Sequence, residues 1–352
     1  MIRAGLIGFG LGGRVFQAPL LSSVEGLELA AIFERTTSQA AARYPGITTY
    51  RTMDDLLADA SLSLIVVTTP NESHFQYARQ ALEAGKHVVV DKPMCIRSEE
   101  IAELIKLAAA RGVVLAPFHN RRWDSDFLTL KKVLGEGSLG RLVYLESTID
   151  RWRPSPTSRV PWKDDPGQGG QLLDHGTHLA DQPLNLFGKP ETVDAEIKRE
   201  RDGEGANDAF TIRLHYRGFT VVLSVTTLGG FERPRYHARG TRGNYLKRGI
   251  DPQEAALSKI TRIADGPWGT EPTSAWGTLS VDVDGGMVTR PIESIPGDYR
   301  LYYAGVRDAI LGKGPAPVSA IDAWRVARLL EWSAESSEKR REIVCDWTNE
   351  PK

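Results

Sequence analysis

The sequence predicts an α/β protein with two parts: an N-terminal doubly wound parallel sheet, and a C-terminal α/β domain with a large, mostly antiparallel open sheet. A glycine-rich turn follows an apolar run at the start of the chain. Short apolar runs then alternate with helical patterns as far as residue 118, which is typical of a parallel sheet. From Thr192 onward, runs of alternating polar and apolar residues indicate antiparallel strands. We place the domains at residues 1–118 and 119–352.

The glycine-rich turn predicts a dinucleotide-binding site. Gly8, Gly10 and Gly13 form the pattern G-x-G-x-x-G between a predicted strand and a predicted helix. Gly8 permits the tight turn, Gly10 the approach of a pyrophosphate, and Gly13 the close packing of helix on strand. Glycine-rich turns also occur at purely structural positions, but the order strand, turn, helix favours dinucleotide binding.

The residues after the second predicted strand bear on the choice of cofactor. Glu34 lies where an acidic residue normally binds the ribose hydroxyls of NAD. Arg35 and Thr36 lie where an arginine and a hydroxyl normally bind the 2′-phosphate of NADP. If Glu34 points away, Arg35 is left for the phosphate, so the pattern slightly favours NADP(H) over NAD(H).

Polar residues also follow a strand predicted at 62–67, namely Thr69, Pro70, Asn71 and His74. Because ligands of such a sheet bind at the carboxyl ends of its strands, we expect these residues to contact the nicotinamide side of the cofactor. For His74, a solvent-exposed helix start is an equal alternative.

Asp91, Lys92 and Pro93 follow the next predicted strand, residues 86–90. Lys92 is therefore predicted at the rim of the cleft. We expect both Lys92 and Asp91 to lie beside the cofactor. Pro93 disfavours the α region at Lys92, which restricts the direction of the ammonium group. Taken alone, Lys92 is either a solvated loop residue or a catalytic cation.

A polar and aromatic cluster, residues 118–124, marks the junction of the two predicted domains. It is either a charged linker or the wall of a cleft. The mixture of donors and aromatic rings suits a small polyhydroxylated ligand. The candidate substrate-binding residues are Asn120, Arg121, Trp123 and, after the strand predicted at 141–150, Arg151.

Asp174 and His178 are four residues apart, which on a helix places them on one face. A carboxylate one turn from an imidazole can hold its tautomer and raise its basicity, so His178 suits general acid–base chemistry. The alternatives are an ordinary capped helix start and a metal site that includes His175. We predict no metal, because no further cluster of ligands is visible.

Composition limits the class of protein. The formal net charge is −1, which gives no reason to expect nucleic acid or an anionic membrane as partner. The chain has 2 cysteines, far apart in sequence, which fits a reducing compartment. No basic segment with a long apolar run opens the chain, and no apolar stretch approaches the roughly 20 residues that span a bilayer. We therefore expect a cytoplasmic protein.

Several motifs together resemble the Gfo/Idh/MocA oxidoreductases over nearly the whole chain. They are the glycine turn, T-P-N-x-x-H at 69–74, the segment 83–93, and G-x-L-x-D-x-x-x-H at 170–178. The family's Glu-Lys-Pro stands here as Asp-Lys-Pro. The segments 12–20 and 118–128 are similar to the scyllo-inositol dehydrogenase subgroup, in which NADP-dependent members occur.

This resemblance implies an N-terminal Rossmann domain and a C-terminal domain whose sheet forms homodimers or homotetramers. It also implies Lys92, Asp174 and His178 as the catalytic set of a dehydrogenase acting on CH–OH groups. Hydride would pass between nicotinamide and a carbinol or ketone carbon of an inositol or related sugar, with Asp174 orienting the imidazole of His178. The alternatives are a catalytically silent, dinucleotide-sensing regulator, a sugar reductase with another substrate, and an enzyme that cleaves glycosides through transient oxidation.

Overall fold

The computed structural model describes residues 1–36, 38–156, 161–264, 266 and 268–352. Its N-terminal part is a six-stranded parallel sheet in the order β3-β2-β1-β4-β5-β6. In chain order the elements are β1 (Ile2–Ile7), α1 (Ala18–Leu21), β2 (Leu27–Phe33), α2 (Gln39–Arg43), β3 (Thr48–Tyr50), α3 (Met53–Ala58), β4 (Leu64–Val67), α4 (His74–Glu83), β5 (His87–Val90), α5 (Ser98–Arg111) and β6 (Leu115–Pro117).

The strand order indicates where the ligand cleft of this first sheet lies. The chain runs outward from β1 to β3 and then returns to β4, on the other side of β1. The connections that leave the carboxyl ends of β1 and β4 therefore lead in opposite directions along the sheet, and the crevice between them is where doubly wound sheets bind their ligands. All four residues of β4 are buried, because the sheet is covered on both faces.

The C-terminal part holds a nine-stranded sheet in the order β14-β13-β12-β11-β7-β10-β9-β8-β15. Only β7 and β10 pair in parallel. The elements are α6 (Ser125–Gly135), β7 (Leu142–Thr148), α7 (Gln171–Asp174), α8 (Gly176–Phe187), β8 (Thr192–Lys198), β9 (Ala209–Tyr216), β10 (Phe219–Thr226), β11 (Tyr236–Gly240), β12 (Gly243–Lys247), α9 (Gln253–Leu257), β13 (Gly277–Val283), β14 (Gly286–Ile292), α10 (Arg300–Ile310), α11 (Ala320–Lys339) and β15 (Ile343–Val344).

The alternation of buried and exposed side chains along the strands explains why one face of the second sheet forms a core. In β9, Phe210, Ile212 and Leu214 are buried, whereas Arg213 and His215 lie on the other face. Residues of α6, α8 and α11 complete the core on the buried face. The predicted fold class, with a parallel first sheet and a mostly antiparallel second one, is confirmed.

The two sheets are joined by helices from the end of the chain. Tyr302 and Tyr303 of α10 belong to the same buried cluster as Leu6 of β1. Trp324 of α11 packs in a second cluster with Leu104 of α5. The last third of the chain thus covers residues of the first sheet and its helices. The division at residues 118 and 119 stays a prediction.

Among the described residues, each helix is too short or too polar to cross a membrane.

The glycine turn yields a matched pair of stability predictions. A Cβ at Gly13 would lie 2.3 Å from the carbonyl oxygen of Gly8, a backbone atom with little room to move, whereas a Cβ at Gly10 would meet no atom within 4 Å. We expect Gly13→Ala to lower the free energy of unfolding by about 1–3 kcal/mol and Gly10→Ala to leave it nearly unchanged. Urea unfolding without cofactor measures both, and equal values would contradict the packing role of Gly13.

Candidate active site

The glycine turn at the end of β1 has the shape that a dinucleotide requires. Gly8 has φ +95°, and a Cβ there would lie 2.6 Å from the Thr68 carbonyl oxygen. The turn therefore closes tightly against the end of β4. Gly10 faces open space. The residues present thus fit a pyrophosphate lying against Gly10.

Glu34, at the end of β2, is engaged within the protein. Its carboxylate accepts hydrogen bonds from the backbone N–H groups of Gln39, at 3.2 Å, and Ala40, at 3.0 Å, and so stabilises the start of α2. Glu34 is 4% exposed, whereas Arg35 and Thr36 are exposed. The acidic side chain is directed at the helix, which leaves the exposed arginine beside it.

One residue near Arg35, Arg51, escaped sequence analysis. Arg51 donates to the carbonyl oxygen of Glu34 at 2.7 Å and to the hydroxyl of Ser38 at 2.9 Å. Arg51 follows β3, and only the pairing of β3 with β2 brings it here. No motif in the sequence signals that contact.

The residues after β4 support the cleft. Asn71 donates to the carbonyl oxygen of Gln168 at 2.8 Å and so ties this loop to the C-terminal part. His74 is 1% exposed, which rules out the solvent-exposed alternative. Its ring nitrogens each lie 2.8 Å from a carbonyl oxygen, of Pro93 and Thr69. Because both nitrogens contact the backbone, His74 braces the loop that carries Lys92. A contact of His74 with the cofactor stays a prediction.

Lys92 precedes a cis peptide bond to Pro93, at the carboxyl end of β5. The Asp91 carboxylate accepts from the Lys92 backbone N–H at 2.8 Å and from the Thr68 hydroxyl at 3.0 Å. Asp91 therefore fixes the backbone of Lys92 and leaves the ammonium group to other partners.

The ammonium group of Lys92 crosses the cleft to Asp174 at the end of α7. It donates to the carboxylate Oδ1 at 2.6 Å and to the Asp174 carbonyl oxygen at 2.8 Å. The other carboxylate oxygen, Oδ2, accepts from Lys163 at 2.8 Å. Burial alone would raise the pKa of the Asp174 carboxyl, but the two ammonium groups outweigh it and hold that pKa well below its usual range.

Lys163 is the second residue that sequence analysis missed. It lies in a short turn, Pro161–Asp164, that precedes α7. A single lysine in a proline-containing loop matches no motif, and its contact with Asp174 depends on the path of that loop.

His178 lies in α8 and is buried. Burial lowers the pKa of its imidazole well below the usual range, and the nearby cations Lys92 and Arg121 lower it further. The expectation that Asp174 orients this ring and raises its basicity is wrong. Both carboxylate oxygens of Asp174 bind lysines, and the helix is divided between α7 and α8. The imidazole is therefore neutral near neutral pH.

The candidate substrate residues at the domain junction have different surroundings. Arg121 donates to Asp124 at 3.0 Å and to Glu254 at 2.9 Å, so its guanidinium is largely held by the protein. Asn120 is buried at the end of β6. Trp123 is half-buried, with its ring 5.7 Å from that of Tyr302.

Arg151 has the least compensated charge of this group. Its side chain is half-buried and makes no hydrogen bond to another described residue. Burial lowers the pKa of its guanidinium, Glu254 opposes that shift, and Arg153 adds to it. Arg151 thus remains available to a ligand.

The described residues contain no group of three or more histidine, cysteine, aspartate or glutamate side chains arranged to hold an ion.

Residues 2–119 match the model of an oxidoreductase family with an NAD-binding Rossmann fold, and residues 131–345 match the α/β domain that forms the C-terminal part of the same family. The chain is 41% identical to the uncharacterized oxidoreductase YdgJ of Escherichia coli, with 98% of each chain covered. It is 33% identical to the scyllo-inositol 2-dehydrogenase (NADP(+)) IolW of Bacillus subtilis, with 98% of this chain and 96% of that protein covered.

A solved structure shows the same architecture. The putative oxidoreductase YPO2259 of Yersinia pestis superposes with a TM-score of 0.94 at 42% identity, covering 99% of this chain and 98% of that one. The chain belongs to the Gfo/Idh/MocA family of oxidoreductases.

Proposed function

We propose that this protein is an NAD(P)-dependent dehydrogenase that acts on a CH–OH group of an inositol or related sugar. The observation that carries the proposal is the Lys92 ammonium group at the carboxyl edge of the first sheet, paired with Asp174 and near the neutral, buried His178. The similarity to a scyllo-inositol 2-dehydrogenase supports an inositol-type substrate.

The side chains of Lys92, Asp174 and His178 would have different roles in the reaction. A bound nicotinamide dinucleotide supplies the hydride acceptor. Lys92 has three N–H donors, of which two bind Asp174, so the third can donate to the reacting oxygen. That hydrogen bond stabilises negative charge on the oxygen as its proton leaves for neutral His178. Reduction of a ketone reverses both proton steps.

The surroundings of Glu34 support NADP(H) over NAD(H). A carboxylate that accepts two backbone N–H groups of α2 is held away from the ribose hydroxyls. It leaves the exposed Arg35 to meet a 2′-phosphate. The relative IolW carries NADP(+) in its name.

Arg151 and Trp123 support a small polar substrate. A guanidinium without a hydrogen-bonded partner among the described residues can donate to several hydroxyl oxygens, and the indole ring can lie against a sugar face. Assembly of two or four copies through the C-terminal sheet stays a prediction.

The competing proposal is a catalytically silent regulator that senses dinucleotide. Such a protein needs no lysine or histidine at the reacting carbon, whereas this chain brings Lys92, Asp174 and His178 to one cleft. That convergence favours an enzyme.

A substrate panel separates the two. The panel contains inositols, among them scyllo-inositol, together with aldoses and ketoses, and each is tested in both directions. With the oxidised cofactor, we expect at least one inositol to raise the absorbance of the reduced cofactor. Tight cofactor binding without turnover of any of them would favour the regulator.

The assigned roles of Lys92 and His178 predict a separation of kinetic from binding effects. We expect Lys92→Ala and His178→Ala each to lower kcat by about 10²–10³-fold, because each removes a group that acts on the reacting oxygen. Cofactor Kd, measured by fluorescence titration, should change much less. Turnover near that of the wild type in either variant would refute the assignment.

Arg35 gives a test of cofactor choice. We expect kcat/KM to be higher with NADP than with NAD, and Arg35→Ala to reduce that ratio about tenfold or more through loss of a charge-assisted contact. The matched control is Arg79→Ala on α4, whose side chain pairs with Glu83 at 3.0 Å. A wild-type preference for NAD would overturn the proposed cofactor choice.

A further inference from the structure

Lys163 and Lys92 share one carboxylate. Oδ1 of Asp174 accepts from Lys92 at 2.6 Å and Oδ2 accepts from Lys163 at 2.8 Å. The Lys92 side chain is 18% exposed, that of Asp174 22% and that of Lys163 33%. The three groups therefore lie at the wall of the cleft, where charges are screened less than at the open surface.

The formal charge of this cluster depends on Lys163. Lys92 and Asp174 alone form a neutral pair, whose field at a substrate oxygen largely cancels. With Lys163 the cluster carries a net positive charge, because one carboxylate serves two ammonium groups. Arg151 contributes further positive charge nearby, but it makes no hydrogen bond to Asp174.

The chain holds Lys163 in place by backbone contacts to the helix start. The carbonyl oxygen of Lys163 accepts from the N–H of Gly170 at 2.8 Å, and the Gly170 carbonyl oxygen accepts from the N–H of Asp174 at 3.0 Å. A Cβ at Gly169 would lie 2.2 Å from the Lys163 carbonyl oxygen, so the loop packs closely on itself here. Lys163 and Asp174 are thus placed by one continuous set of contacts.

We propose that Lys163 is a positioning residue of the reaction, which holds Asp174 by Oδ2 so that the positive charge of Lys92 remains available to the reacting oxygen. The inference rests on the proposed dehydrogenase function. Without Lys163, the carboxylate would bind Lys92 alone and cancel its charge. The developing alkoxide would then lose stabilisation although Lys92 itself is still present.

Three variants of the full chain test this inference. We expect Lys163→Ala to lower kcat about tenfold to hundredfold, somewhat less than the loss of a group that contacts the oxygen directly, and to change cofactor Kd by no more than about twofold. Lys163→Arg keeps the charge and should recover most of the lost kcat. The matched control is Lys189→Ala. Lys189 is 37% exposed and pairs with Glu350 at 2.6 Å outside the cleft, so this variant should behave as wild type.

A second measurement needs no turnover. The fraction of Lys92 acylated by a limiting amine reagent, quantified by peptide mass spectrometry, should fall in Lys163→Ala and recover in Lys163→Arg. The reason is that a carboxylate with one cation instead of two binds the Lys92 ammonium group more strongly and leaves its nitrogen less accessible to the reagent. Unchanged acylation of Lys92 in Lys163→Ala overturns the proposal, as does an unchanged kcat in an enzyme whose wild type is active. If the wild type turns over no substrate, the proposed function fails, and the acylation result alone decides the role of Lys163.

Discussion

The Asp174 carboxylate joins the two halves of the molecule at the point where chemistry is proposed. One oxygen accepts from Lys92, at the end of a strand in the first sheet, and the other from Lys163, in the loop that leads to α7. Removing either cation would leave a partly buried carboxylate with fewer partners, which is a costly state. The geometry of the cleft therefore depends on this shared contact.

Other contacts keep Lys92 where Asp174 can meet it. Asp91 binds the backbone N–H of Lys92 and the hydroxyl of Thr68, so adjacent strands β4 and β5 are joined at their ends. His74 lies between the backbone carbonyl groups of Thr69 and Pro93. The ammonium group itself is left to Asp174. The aspartate that stands where the family has glutamate thus acts on the main chain of the lysine, which a carboxylate of this length reaches at 2.8 Å.

Electrostatics explains why His178 differs from the expectation based on spacing. Two residues four apart on a continuous helix face the same way, but the helix here is divided at His175, and Asp174 is turned toward the lysines. The imidazole is then governed by burial and by nearby positive charge, both of which favour its neutral form. A neutral base beside a cationic hydrogen-bond donor is a suitable arrangement for taking a proton from a hydroxyl group.

The local sequence determined the first sheet, the glycine turn and the identity of Lys92, Asp174 and His178 as candidates. Apolar runs, turn residues and strand-end positions are local patterns, and each follows from backbone geometry over a few residues. The alternation along β9 is equally local, whereas β14 is largely exposed and has no buried alternate face that a pattern of apolar residues could indicate. Only the tertiary structure decided that Glu34 binds the start of α2, that Arg121 is held by Asp124 and Glu254, and that Lys163 reaches Asp174. Among these contacts, that of Arg121 with Glu254 joins residues far apart in the chain, and the others join residues that no motif pairs. The choice of partner for a charged side chain depends on burial and distance, which the spacing of residues does not encode.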